Sequence, residues 1–456
     1  MKIIMLSLFN APDKGGGESR VVFELSSELA KKGIEVAIVA PGEKDEVKDL
    51  EKNLKLFTIK SFGGDENPIS DLSHQSIERM HLFFKDFKPN IVHTHTISYM
   101  GLLGQVWAVK YSTPFIYTAH ESPKTKAEYI VKSPVIKKAL GSYVSSIVKD
   151  FFQNCNAIIA LSTTVVDEIK SMGYKGQIFR IYNGRYLEIY ETAKIDEWKY
   201  KSFDLLFVGN ISDRKNQKFL VEALTFLPPN FKLHLIGPVT EKKYMQNLEK
   251  YIEENNLKDR IFFDGKKTQQ EIIGYLEKSF AFLGSAKFET FSLVTLEAFA
   301  TGTPVIMLDE VNINEWVPKP ETVILKSDST PQDFAQQILF MKGLDKDSYF
   351  RLCYSSRAKI SDFSWNKVAE KTIDAYKEVV SSKNSAEENE KKLRFGKYLK
   401  GTFLEQFFAR KESGRISIGN AFLLGITVVL SVAGFVAVRT ANDIKLKRSQ
   451  KSEVRN

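Results

Sequence analysis

Short apolar runs alternate with amphipathic stretches through the first 380 residues or so. Ile3 to Leu8, Val36 to Ala40, Ile91 to His93, Phe115 to Tyr117 and Ala157 to Leu161 are each too short for a helix and apolar on both faces, which predicts buried parallel strands. A polar interval around Ile195 to Ser202 interrupts the pattern. It then restarts at Leu205 to Val208, Leu233 to Ile236, Ile261 to Phe263, Phe280 to Leu283 and Val305 to Leu308. Strand and helix signals in alternation predict an α/β chain of two tandem doubly wound, Rossmann-like domains at 1–195 and 196–382. The second closes with a helix from Trp365 to about Ser382. Ligands of such sheets bind beyond the carboxyl ends of the strands, so the expected site is the cleft between the two domains. Ile3 to Phe9 reads as a first strand rather than a signal peptide, because it is brief and lacks a small-residue cleavage pattern.

Beyond 382 the pattern changes. A polar linker with an interfacial helix is expected at 383–415, where Leu399, Phe403, Leu404, Phe407 and Phe408 lie among lysines; a helix packed on the protein fits the same residues. Ile416 to Val438 carries no charged side chain and is long enough to cross the roughly 30 Å hydrocarbon layer, so a C-terminal transmembrane helix is expected at 416–438, followed by a basic tail at 439–456. Flanking charge does not orient it. Lys397, Lys400, Arg410, Lys411 and Arg415 on one side nearly balance Arg439, Lys445, Lys447, Arg448, Lys451 and Arg455 on the other. Val135 to Phe152 repeats apolar pairs every four residues, an amphipathic helix that suits packing on its own sheet or a membrane-dipping face.

Composition narrows the classes. With 456 residues, 43% hydrophobic and 27% charged, the chain is globular and too long for a single core. Cys155 and Cys353 stand alone, which argues against a disulfide framework or a zinc site. The net charge of +9 gathers near the C-terminus beside the apolar segment, pointing to a membrane surface and not to nucleic acid.

Candidate chemistry clusters at predicted strand ends. Glu289 and Glu297 stand eight residues apart across a strand-to-helix junction, with the helix read from Leu293 to Thr301. Backbone N–H groups and the dipole at such a helix start bind phosphate without a particular side chain. Glu289 would face what the phosphate carries, and Glu297, one turn inside, the nucleoside. Two glutamates flanking a surface helix that only meet solvent would read the same way. The first loop, Pro12 to Arg20, carries Gly16 and Gly17 but not the dinucleotide fingerprint, and a bare glycine turn remains open. His93, His95 and His120 lie at or just after strand ends; read singly, each is also an ordinary structural histidine. Phe207 to Asn216 again runs strand, glycine turn, helix. Arg214 or Lys215 there would neutralise a diphosphate or merely sit in solvent at a helix start.

In this order the motifs resemble retaining glycosyltransferases of the GT-B fold, the GT4-type family, over residues 1 to 380. The carriers are Gly16-Gly17, His93-Thr94-His95, His120, Asn183-Gly184, the Val208-Gly209 to Lys215 turn, the Glu289 to Glu297 element, Gly302 to Ile306 and Phe363-Ser364-Trp365. The stretch from His120 to about Asn156 is similar to the branch that glycosylates diacylglycerol-type lipids.

The resemblance implies roles. Glu289 would contact hydroxyls of the transferred sugar, and His120 would lie against the reacting sugar. Backbone amides of Phe291, Ser292, Leu293 and Val294 would hold the diphosphate, Lys215 would neutralise it, Glu297 would bind ribose, and Gly16-Gly17 would let the first loop approach the donor. Asn210 stands where the family has arginine, with Arg214 as a substitute. Ser292 replaces a glycine and narrows the diphosphate seat. No cofactor or metal is implied. The expected activity is transfer of a hexose from a nucleotide diphosphate sugar to a lipid or lipid-linked acceptor, by a membrane-anchored enzyme whose catalytic domains face the cytoplasm. Two alternatives stay open: a sugar-nucleotide-binding protein without turnover, and transfer to a soluble protein or polysaccharide.

Overall fold

In the computed structural model, the structure describes residues 1–12, 16–60, 74–120, 148–287, 289, 291–309, 315–317 and 322–384. The first lobe holds β1 (Lys2–Leu6), β2 (Glu35–Gly42), β3 (Glu46–Glu51), β4 (Leu54–Lys60), β5 (Ile91–Thr94), β6 (Phe115–Ala119), β7 (Ala157–Ala160) and β8 (Gln177–Arg180). They form an eight-stranded sheet in the order β3-β4-β2-β1-β5-β6-β7-β8, parallel except where β3 runs against β4. The second lobe holds β9 (Asp204–Val208), β10 (Lys232–Ile236), β11 (Ile261–Gly265), β12 (Ala281–Gly284), β13 (Val305–Asp309) and β14 (Thr322–Lys326). Its six strands pair in parallel in the order β11-β10-β9-β12-β13-β14. These are two Rossmann-like sheets in tandem, the GT-B arrangement.

Every apolar run read as a strand is one. The strands that went unread are β3, β4, β8 and β14. β3 is a polar, solvent-facing edge and β8 a four-residue outermost strand, so neither shows a long apolar run; the Val323-Ile324-Leu325 run of the outermost strand β14 was passed over. β4 alternates as a half-buried strand does, and its signal was passed over.

Each sheet is sandwiched between apolar layers. Leu6, Val92, Trp107 and Tyr117 fill one side of the first sheet. On the other side Ile3, Val21, Val36 and Ile116 pack with Trp365, Val368, Ala369, Ala375, Tyr376 and Val379 of the Trp365–Asn384 helix. That helix follows the second lobe in sequence but buries its apolar stripe on the first. The i, i+3, i+4 spacing of those residues explains the single buried face.

The helix read at 135–152 falls mostly outside the described residues. Its described end, 148–153, buries Phe151 and Phe152 in the first core. Among the described residues no helix is long and apolar enough to cross a membrane. The expected span at 416–438, its tail, and the linker from 385 onward lie outside them.

The chain leaves the first lobe and returns to it along paths that touch. Arg185 N–H donates to the Phe363 carbonyl at 2.8 Å, and Trp365 N–H donates to the Arg185 carbonyl at 3.2 Å. A Cβ at Gly184 would come within 2.5 Å of the Trp365 ring, so only glycine allows the two segments to lie this close.

Candidate functional site

In the second lobe, β10 and β11 lie on one side of β9 while β13 and β14 lie beyond β12, so the strand order reverses between β9 and β12. A doubly wound sheet opens a crevice at that point. The turn at 209–216 leaves β9, and the segment to Ser292 leaves β12. Bonds lace the two together: Lys287 N–H donates to the Arg214 carbonyl at 2.9 Å, and the Ser285 hydroxyl donates to the Lys215 carbonyl at 3.0 Å. Asn216 adopts a left-handed conformation (φ 55°) that ends the 213–215 turn and starts the next helix, which fixes the direction of Lys215.

Lys215 and Glu289 form an ion pair there, with the Arg214 guanidinium 4.0 Å from the same carboxylate oxygen. Both partners are largely buried. Lys215, Glu289, Ser292, Val208, Gly284 and Ser285 line a pocket at the strand ends. The Leu293–Ala300 helix begins at its edge. Ser292 caps it, its hydroxyl accepting from Thr295 N–H at 3.2 Å, so the side chain expected to narrow the seat is engaged with the helix's own backbone. The amides of Leu293 and Val294 precede the first intrahelical bond, as at any helix start. Phe291 is buried against Trp316, Tyr182 and Phe363. Asn210 is exposed on the turn, where its carbonyl accepts from Gln217 Nε2 at 2.8 Å. Phe288 and Thr290 lie outside the described residues.

The first sheet reverses between β1 and β5. The loop after β1 runs through undescribed positions 13–15 into the Gly16–Lys31 helix, and a Cβ at Gly17 would sit 3.6 Å from Leu293 Cδ1. Two helix starts, one from each lobe, therefore meet across the cleft. The same sheet carries a histidine cluster at the carboxyl ends of β5 and β6. His93 is fully buried, bonded through Nδ1 to Tyr376 Oη at 2.6 Å and through Nε2 to Thr118 Oγ1 at 2.7 Å. Both nitrogens face protein, so His93 is structural. His95 Nδ1 and His120 Nε2 share a hydrogen bond of 2.8 Å, and His95 Nε2 is buried with no partner. Burial first, and the neighbouring histidines second, push His93 down to about 3 and His95 well below the ordinary imidazole range, so both are neutral.

Glu297 does not sit open to the cleft. It is 2% exposed, with Oε1 2.5 Å from Arg185 Nη2 and Oε2 buried without a partner. Arg185 was not read from sequence: it directly follows Asn183-Gly184, but no local spacing joins it to its distant partners. It also donates through Nη1 to both oxygens of Glu24, at 2.7 and 3.0 Å, and through Nη2 to Gln269 Oε1 at 2.6 Å. Trp365 Nε1 donates to Glu24 at 2.7 Å. Desolvation opposes the guanidinium charge, but Glu297, Tyr190 and Glu24 more than offset it, so its pKa is raised. A second link between lobes is Glu315, which accepts from Thr163 N–H at 2.8 Å and Thr163 Oγ1 at 2.9 Å.

Known proteins resemble both lobes. A model described as Glycosyltransferase Family 4 matches residues 15–188, and one described as Glycosyl transferases group 1 matches 190–348. The alpha-monoglucosyldiacylglycerol synthase of Streptococcus pneumoniae is 25% identical over 306 residues, 64% of this chain and 67% of that protein. The D-inositol 3-phosphate glycosyltransferase of Corynebacterium glutamicum is 22% identical over 427 residues, covering 84% of this chain and 98% of its own. Among solved structures, HepE of Anabaena in complex with UDP and glucose superposes with a TM-score of 0.66 at 17% identity, covering 83% of this chain and all of that one.

Proposed function

Because this chain belongs to glycosyltransferase family 4, an enzyme class that uses nucleotide-sugar donors, we propose that it transfers a hexose, with retention of anomeric configuration, to a lipid or lipid-linked acceptor. The observation that carries the donor side is the Lys215–Glu289 ion pair at the strand-order reversal, beside a capped helix start.

Without ligand, each group neutralises the other. A donor would separate them: its diphosphate takes Lys215, Arg214 and the helix amides, while Glu289 accepts hydrogen bonds from sugar hydroxyls. In the transfer, the bond from the anomeric carbon to the diphosphate oxygen breaks as the acceptor oxygen bonds to that carbon on the same face. The acceptor proton passes to the departing diphosphate. Negative charge grows on that leaving group, where Lys215 and the helix start are already oriented, so fixed charge supplies the catalysis and no strong base is required. His120, at the opposing strand end, would lie against the sugar.

A lipid acceptor is supported by the match to the pneumococcal synthase and by the uncharged stretch 416–438, read as an anchor that holds the lobes on the cytoplasmic side, where nucleotide sugars are made. The match to the inositol phosphate enzyme supports a soluble acceptor instead. The reading without turnover is set aside with family membership. The test is release of UDP from UDP-glucose, the pair suggested by HepE, and from other nucleotide sugars, by detergent-solubilised full-length protein with and without total lipid extract. Lipid-dependent release supports the proposal. Release that ignores lipid but responds to a soluble polyol phosphate overturns the acceptor assignment.

A further inference from the structure

The crossing between the lobes carries a buried charge network that the transfer step does not use. Arg185 stands at its centre, with a side chain only 3% exposed. Each of its Nη hydrogens has a partner: two oxygens of Glu24 from the first lobe, and Gln269 Oε1 and Glu297 Oε1 from the second. Gln269 is fixed in turn, because Arg20 Nη1 donates to the same oxygen at 2.9 Å and its own Nε2 donates to Tyr190 Oη at 2.9 Å. The backbone of Arg185 is pinned by its two bonds to the 363–365 segment.

Two atoms in this network are left over, the donor Arg185 Nε and the acceptor Glu297 Oε2. Glu297 Oε2 is buried and has no hydrogen bond, although a buried carboxylate oxygen without a donor is costly and uncommon. On the donor reading, a ribose hydroxyl would be the missing donor for Oε2, which a bound nucleoside must uncover. Glu297 lies five residues along the helix from the Ser292 cap, which at helical rise is about 7–8 Å, the order of the step from a diphosphate to the ribose it esterifies.

We propose that Arg185 is a positioning residue for the nucleoside end of the donor: its fork holds Glu297 Oε1 and thereby presents Oε2 to the ribose hydroxyls. This inference rests on the donor reading given above. A planar guanidinium with all its terminal donors engaged fixes the carboxylate plane, which a lysine point charge does not. Because Glu24 belongs to the other lobe, the presentation is complete only when both lobes grip Arg185.

The test compares binding of UDP and 2′,3′-dideoxy-UDP to the full-length protein by titration calorimetry. The wild type is expected to prefer UDP by about 10- to 100-fold, the range of a charge-assisted hydrogen bond. Arg185→Lys keeps the charge and is expected to lower that preference to about threefold or less, chiefly through weaker UDP binding. Loss of affinity for both nucleotides in equal measure, with the ratio unchanged, would reduce Arg185 to a structural tie and overturn the proposal. A wild type that binds UDP without distinguishing the dideoxy form would overturn it too, while leaving the donor reading intact; failure to bind any nucleoside diphosphate would remove the donor reading itself. Should Arg185→Lys not fold, Gln269→Met takes its place under the same criterion, since it removes one partner of the fork and no charge.

Discussion

The two strand-order reversals face each other across one cleft, yet they are built from opposite materials. The second lobe offers formal charge, Lys215 and Arg214 against Glu289, held by turns at the ends of β9 and β12. The first offers imidazoles, His95, which burial keeps neutral, and His120 bonded to it, with His93 beneath them locked to Thr118 and Tyr376. Charge belongs where a diphosphate binds and leaves, because fixed charges there are worth most when negative charge is growing. The transferred sugar carries no charge, and hydrogen-bonding rings can shape a wall for it without a fixed cation that competes for phosphate. Same fold, same crevice, and the division of labour is set by what each loop contributes.

Removing the charge on the second side should have the largest effect. Lys215→Ala is expected to lower kcat by about 100- to 1000-fold, the scale of losing one oriented stabiliser of a developing anion, measured as UDP release under saturating donor. A loss below about threefold would break the assignment of charge to this lobe. On the first side the effect is on stability and follows pH. His93 and His95 have folded pKa values below their unfolded ones, so the unfolded chain binds more protons and stability falls as pH drops below about 6.5, down toward 3 for His93. Each contributes about 1.4 kcal/mol per pH unit in that window. The melting temperature of His93→Asn should therefore depend less steeply on pH between 6.5 and 4.5 than that of the wild type; equal slopes would mean the ring is not held neutral. The smallest effect is expected at the latch between the sides. Glu315→Ala removes a cap on the helix beginning at Thr163 and should cost about 1 kcal/mol of stability, visible in thermal melts, with kcat changed less than twofold.

What was legible from sequence follows from what each signal encodes. Apolar runs such as Leu205 to Val208 report burial on both faces, the environment of a central parallel strand, so the central strands were read; the edge strand β11 was read from its brief run Ile261 to Phe263. The edge β3 has one ladder partner and solvent on its face, and its sequence looks like a loop. The stripe from Trp365 to Val379 announces a buried face but not the surface it meets, so its return to the first lobe became visible only in three dimensions. The Glu289 and Lys215 positions were readable because glycine turns and helix starts are local events. Arg185 was not, since its partners Glu24, Gln269 and Glu297 come from distant segments and no local spacing joins them.

Glu289→Gln tests the central claim most directly. The substitution removes the charge that competes for Lys215, so UDP should bind as tightly as to the wild type or tighter, while release of UDP from UDP-glucose in the presence of acceptor falls by about 100-fold or more, as a charge-assisted grip on the sugar hydroxyls is lost. Near-normal turnover with unchanged UDP affinity would contradict the account, since it would mean the Lys215–Glu289 pair is not the donor seat.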